Sequence, residues 1–210
     1  MTPRHQLLAE IARTPSPTRA ENQNRSRWAA ISSVAVAVLI FEVVGGLENS
    51  AGRPMTYTLG LAAGWALFAA TLSAFVLWRR TTLGRAPRWL LAAALVSPVV
   101  LLGWMHLFDG AYVEPFSRLG FRCMAYTFAM AALPLGSFMV LRRGFQPRGA
   151  WQLGAALGAI TGAWAGVLVE LWCPLVNLPH AMVGHVLPLI ALIAAGALWG
   201  RRALDITANA

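Results

Sequence analysis

No lysine occurs in this 210-residue chain; its 17 basic residues are all arginines, set against 8 acidic ones. Charge of either sign is scarce, at 12% of residues, about half the roughly 25% usual in soluble domains. That excludes an ordinary soluble globular fold. Only two cysteines are present, so one disulfide is the most the chain can form, and a disulfide-stapled framework is excluded. Phosphate-cradling glycine motifs, a GxSxG elbow, an HExxH zinc helix and a CxxC pair are all missing. Their absence argues against nucleotide hydrolysis, serine hydrolysis and zinc proteolysis. No acid–base pair falls in a polar domain large enough to catalyse, so we expect neither an enzyme nor a cofactor. Residues 1–27 are polar and Pro/Arg-rich with no apolar core, so no signal peptide is expected there.

What is abundant is apolar sequence, 58% of the chain. It falls into six runs, at 28–47, 57–78, 89–108, 123–141, 151–172 and 179–199. Each reaches or nears the ~20 residues that span a hydrocarbon core. Tryptophans stand near their ends (Trp28, Trp78, Trp89, Trp151, Trp172, Trp199), as in an interfacial aromatic belt. The expected fold is all-α: a polytopic membrane protein with six transmembrane helices in a bundle. Residues 1–27 would be an N-terminal head, 28–200 the transmembrane domain and 201–210 a tail. Short connections make neighbouring helices antiparallel hairpins.

The arginines supply the orientation. Fourteen fall in the head, the tail and two of the gaps between runs, while Arg53, Arg118 and Arg122 fall in the others. The positive-inside rule then puts both termini in the cytoplasm. It also removes the reason to read net charge +9 as nucleic-acid binding; the bilayer is the expected neighbour. In the head, Leu7, Leu8 and Ile11 share one side of a short amphipathic helix over 5–13. Alone in water it would fray, but on a partner it could fold and dock. Residues 20–27 read as a linker. Gly154, Gly158, Gly162 and Gly166 recur every fourth residue, a ridge for close helix packing.

Chemistry is concentrated in 170–185, where Glu170, Cys173, His180 and His185 lie between apolar runs. Cys123 opens the fourth run and Cys173 follows the fifth, so both belong near the outer face. Two helices of a hairpin could bring the thiols together, although spacing does not fix the distance. Buried cysteines are as often small packing residues. Glu170, Cys173, His180 and Cys123 could also bind a soft metal, with His106 and His185 nearby in depth. Two other classes stay open. One is a transporter or channel with Glu42, Glu170 and His185 along a polar path; the other is a thiol redox membrane protein working through the two cysteines.

Gly120-Phe121-Arg122-Cys123, Leu133-Pro134-Leu135, Leu141-Arg142-Arg143-Gly144, the glycine-rich fifth run, Cys173-Pro174 and Gly200-Arg201-Arg202-Ala203-Leu204 together resemble the NrsF-like integral-membrane anti-sigma factors. The resemblance is strongest over 120–204. It implies six spans, a cytoplasmic head and an extracytoplasmic-function sigma factor as partner, held inactive at the bacterial inner membrane without direct nucleic-acid binding by this chain. It further implies that Cys123 and Cys173 sense oxidants or metals. Because the cytoplasmic arginine turns are too short to offer much apolar surface, Leu7, Leu8 and Ile11 of the head are the expected contact with that sigma factor. The family's His-Cys-Pro with acidic residues after it is here Trp172-Cys173-Pro174-Leu175-Val176-Asn177. That substitution points to thiol redox rather than to a metal.

Overall fold

The structure is a computed structural model that describes residues 19–50, 52–78, 88–110, 112–141 and 149–203. All regular elements among them are helical. Helix α1 is Arg19–Val43 and α2 is Met55–Ser73, prolonged by a π turn at Ala74–Trp78. Helix α3 is Arg88–His106, α4 is Phe121–Leu141 and α5 is Ala150–Trp172. The last, α6, runs over Leu178–Ala203 with a π turn at Met182–Val186. The expected head helix with Leu7, Leu8 and Ile11, the arginine turns at 79–87 and 142–148, and the tail beyond 203 lie outside the described residues.

Among the described residues, five helical stretches are long and apolar enough to cross a membrane: Met55–Val76, Arg88–His106, Phe121–Leu141, Ala150–Trp172 and Leu178–Ala203. They are compatible with a multi-pass membrane protein. Six were expected, and the first run is where structure and expectation part. The stretch 20–27, read as a linker, is helical and continuous with α1. Only its second part, Ile31–Val43, counts as apolar helix, and it is shorter than the other five. The helix also stops at Val43 rather than Leu47. Gly45 (φ 109°) and Gly46 (φ 50°) enter the left-handed region, which glycine adopts freely and which ends a helix. A 3-10 turn over Gly46–Ser50 follows.

Helix α5 is the axis of the bundle. It contacts every other helix, most extensively α6 and α2, and most of its length is buried. The glycine ridge is the reason. A Cβ at Gly154 would strike the carbonyl of Gly196, and one at Gly158 that of Leu192. Gly196 and Gly200 of α6 are equally tight against Gly154 and Ala150. Without side chains at these points the two backbones touch, as in small-xxx-small membrane pairs. Gly166 turns instead toward α2, where the fully buried Trp65 ring fills the space. The outward faces of α1 and α3 expose Val34, Leu39, Leu95, Val99 and Val100, an apolar girdle suited to lipid rather than water.

Candidate functional site

Three chain ends meet at one end of the bundle: the start of α4, the end of α5 and the start of α6. Each is shaped by a local sequence signal. Pro174 biases the residue before it toward extended backbone, and Cys173 has φ −79°, ψ 128°. So α5 stops at Trp172, and Cys173 hangs beneath its last turn with its N–H still bonded to the Val169 carbonyl, 2.8 Å. Asn177 then caps α6: its Oδ1 accepts the His180 N–H at 3.1 Å, with Pro179 in the first turn. Gly120 and Gly184 bring the α4 start against the α6 start almost backbone to backbone, which places Cys123 beside His180.

The resulting cluster is compact and dry. The Cys123 and Cys173 sulfurs are 3.5 Å apart. His180 Nε2 faces both, at 3.3 Å from Cys123 and 3.1 Å from Cys173. His185 completes the group, and one donor atom from each of the four residues lies within 4.8 Å of the others. All four side chains are buried, and both cysteines are free thiols. Burial pushes the Cys173 thiol up to about 11, and its contact with Cys123 adds to the rise.

The ring orientations matter as much as the distances. His180 Nδ1 sits 2.9 Å from the Arg118 carbonyl, which can only accept. With the ring neutral, Nδ1 carries the proton and Nε2 offers its lone pair to the sulfurs. His185 Nδ1 lies 2.7 Å from Glu170 Oε1, and a carboxylate likewise draws the proton to that nitrogen. The contact is close but poorly aligned as a hydrogen bond, and His185 Nε2 has no hydrogen-bond partner among the described residues. An imidazole held through Nδ1 by a carbonyl or carboxylate can ligate a metal through Nε2 once that nitrogen is unprotonated. A tetrahedral ion at about 2.3 Å from sulfur and about 2.0 Å from nitrogen sets its donors roughly 3.3–3.8 Å apart. The cluster needs only small shifts to meet that.

Around it stands a second layer. The fully buried Glu170 faces Arg53, whose Nη1 is 3.8 Å from Oε2. Arg53 also donates to the Glu170 carbonyl and, through Nε, to Thr58 Oγ1 at 3.0 Å. The 112–120 segment closes the end. Glu114 accepts from the Val176 N–H at 2.6 Å and from the Asn177 amide, and the Tyr112 hydroxyl donates to the Pro174 carbonyl. Burial raises Tyr112 to about 12, so it remains a donor at neutral pH.

Of the residues expected from sequence, Cys123, Cys173, Glu170, His180 and His185 converge. His106 does not. It lies at the exposed end of α3, with Nδ1 3.6 Å from Asp109. The joining of His180 to His185 has a structural cause that spacing concealed. Residues five apart diverge on an α-helix, but a π turn closes i→i+5 bonds and stacks them. Here the Leu187 N–H reaches the Met182 carbonyl, and the two rings are 5.4 Å apart. Arg53 and Glu114 were not foreseen. The available signal was that a buried carboxylate needs a cation, and Arg53 is one of only three arginines in the gaps opposite the basic side.

Fold and site together define a helical bundle, compatible with a multi-pass membrane protein, with a buried thiol–imidazole cluster at one end. The model of the family described as negative regulator of sigma F matches residues 8–205. The chain belongs to that family, whose name implies negative regulation of a sigma factor. No curated protein and no solved structure matches the chain.

Proposed function

We propose that the chain is a six-span anti-sigma factor of the bacterial inner membrane. It holds an extracytoplasmic-function sigma factor at the cytoplasmic face and releases it when the chemistry of Cys123 and Cys173 changes near the outer face. The observation that carries this reading is the pair of buried thiols 3.5 Å apart, bridged by His180. A two-electron oxidant such as a hydroperoxide would act in two steps. One sulfur attacks the terminal peroxide oxygen as the O–O bond breaks, and the alcohol leaves. The second thiol then displaces that oxygen as water, and the disulfide forms. The two thiol protons end on the two oxygens, and His180 Nε2 is placed to relay them. Periplasmic placement would let such a bond persist.

A second reading is favoured by the four-donor set: a soft metal ion bound by Cys123, Cys173, His180 and His185, displacing the two thiol protons. This arrangement restores the metal option that Trp172, standing where the family has histidine, had weakened: His180 and His185 supply the nitrogens instead. Thiol alkylation of the protein in membranes, before and after hydrogen peroxide or cadmium chloride, separates the two. A peroxide-driven disulfide blocks alkylation until reductant is added, while cadmium blocks it until a chelator is added and gives thiolate-to-metal absorbance. The reading requires that Cys123→Ser and Cys173→Ser have equal regulatory effects and that the double variant adds nothing. If the double variant still releases its partner on both treatments, the cysteines are packing residues.

The head is the proposed docking segment, with Leu7, Leu8 and Ile11 laid into a groove of the sigma factor. Replacing all three by Asp should free the sigma factor while the protein stays in the membrane. Topology is tested by reporter fusions. Those after Arg85, Arg148 and Arg202 should be cytoplasmic, and those at Gly52 and Ser117 periplasmic. An exported reporter active at Arg148 would invert the placement of both cysteines.

A further inference from the structure

The segment between α1 and α2 is tied to the end of α5 by bonds that do not involve the thiols or imidazoles of the cluster. Trp172, next in sequence to Cys173, donates its indole N–H to the Val44 carbonyl at 2.9 Å. Its own carbonyl accepts from Asn49 Nδ2 at 3.0 Å. Two residues earlier the Glu170 carbonyl accepts from Arg53. The turn between these points is held by Ser50 Oγ bonded to the Leu47 carbonyl, 2.9 Å. Val44, Asn49 and Arg53 therefore act as a strap, fastening the chain that follows α1 at three places to the last turn of α5. Its upstream end is Val44, one residue past α1. That helix then runs unbroken for 25 residues to Arg19, about 37 Å at 1.5 Å per residue. The other cysteine reaches α1 as well: α4, which carries Cys123 in its first turn, packs along it. The Trp172 indole closes the circuit by standing edge-on to Tyr126 of α4, centroids 4.8 Å apart.

We infer that this strap, anchored through Val44, Asn49 and Arg53, is the mechanical link by which a change at Cys173 moves α1 and, through it, the N-terminal head. The inference rests on the reading that cysteine chemistry is the signal. Forming a disulfide closes the sulfurs from 3.5 Å to about 2.05 Å. Cys173 and Trp172 share a peptide bond, so a displacement of roughly an ångström reaches the Trp172 indole and carbonyl directly. Both are bonded to the strap. The hydrogen-bonded backbone of α1 transmits the shift as a rigid body rather than absorbing it. Linkage makes the coupling reciprocal: if oxidation loosens the grip on the partner, a bound partner must disfavour oxidation by the same factor.

The test uses the full-length protein co-purified with its sigma factor in detergent, with diamide as the two-electron thiol oxidant. Wild type is compared with Asn49→Ala/Trp172→Phe, which cuts two strap bonds and keeps an aromatic ring against Tyr126. Disulfide formation is read by alkylation shift and partner retention by co-purification. The expected result is that the variant oxidises fully yet shows a release at least about fivefold smaller than wild type, the lower end of ordinary site-to-site coupling. Its oxidation midpoint should also depend less on the sigma factor than that of wild type, a readout that a merely structural role would not move. Oxidation with undiminished release overturns the strap and leaves the cysteine signal standing. Wild type that oxidises and keeps its partner overturns the signal reading and the strap with it. Should the double variant be lost from the membrane, the single variants decide, since each must show partial uncoupling. Two singles that both behave as wild type overturn the inference.

Discussion

Helices α5 and α6 are in contact from one end to the other, yet the two ends of that contact are made differently. Toward Gly154 and Gly200 the interface is bare backbone against backbone. Toward Glu170 and His185 it is a network of thiols, imidazoles, a carboxylate and a guanidinium, all buried. The glycine end derives its strength from contact distance and tolerates no added atom. The polar end sets Glu170 against both Arg53 and His185 and the two thiols against His180, so losing one charge strands another, but the groups can exchange one arrangement for another. A bundle with both can hold two helices firmly at one end while chemistry rearranges the other.

The largest effect expected is at the polar end. Glu170→Ala leaves Arg53 as an uncompensated buried cation, which costs about 3–5 kcal/mol. Denaturant unfolding in detergent would measure it, and Arg53→Met/Glu170→Met should recover much of the loss. A cost below about 1 kcal/mol would mean that the pair is solvated and the contrast between the two ends false. Next comes the glycine end. Gly158→Val forces a branched side chain onto the Leu192 carbonyl, an overpacking of about 2–3 kcal/mol. Gly162→Ala sharpens the point, because its Cβ meets chiefly the flexible ends of Leu189 and Leu192; it should cost less than about 1 kcal/mol. Equal penalties at the two glycines would show that ridge position, not backbone contact, governs the seam. The smallest effect belongs to neither end. Trp164 stands partly exposed on the outer surface of α5, its indole bonded to Ser73 at 3.2 Å. Trp164→Phe should stay within about 0.5 kcal/mol of wild type.

The apolar runs were legible because spanning a bilayer demands length and low charge, and both are properties of the chain read in one dimension. Five of the six runs became helices near their expected limits. The first ended early because paired glycines at 45 and 46 stop a helix whatever the hydropathy beyond them. The glycine ridge was legible as a packing surface, but its division between α6 and Trp65 of α2 was not. The site was half legible. Cysteines placed at the same ends of adjacent helices follow from counting residues, whereas the joining of His185 to His180 depends on a π turn that no spacing rule announces.

What the sequence by itself determined is the helical class, the scarcity of charge, the small-residue ridge and the handful of residues able to do chemistry. Helix period and side-chain type suffice for those. Tertiary structure alone decided that Cys123, Cys173, His180 and His185 share one pocket, that His106 stands apart, and that Arg53 answers Glu170 across 117 residues. These are pairings between separate helices. They depend on the rotation of each helix about its axis and on where backbones touch, and in this chain both are set by the glycine contacts, Pro174 and the π turn acting together.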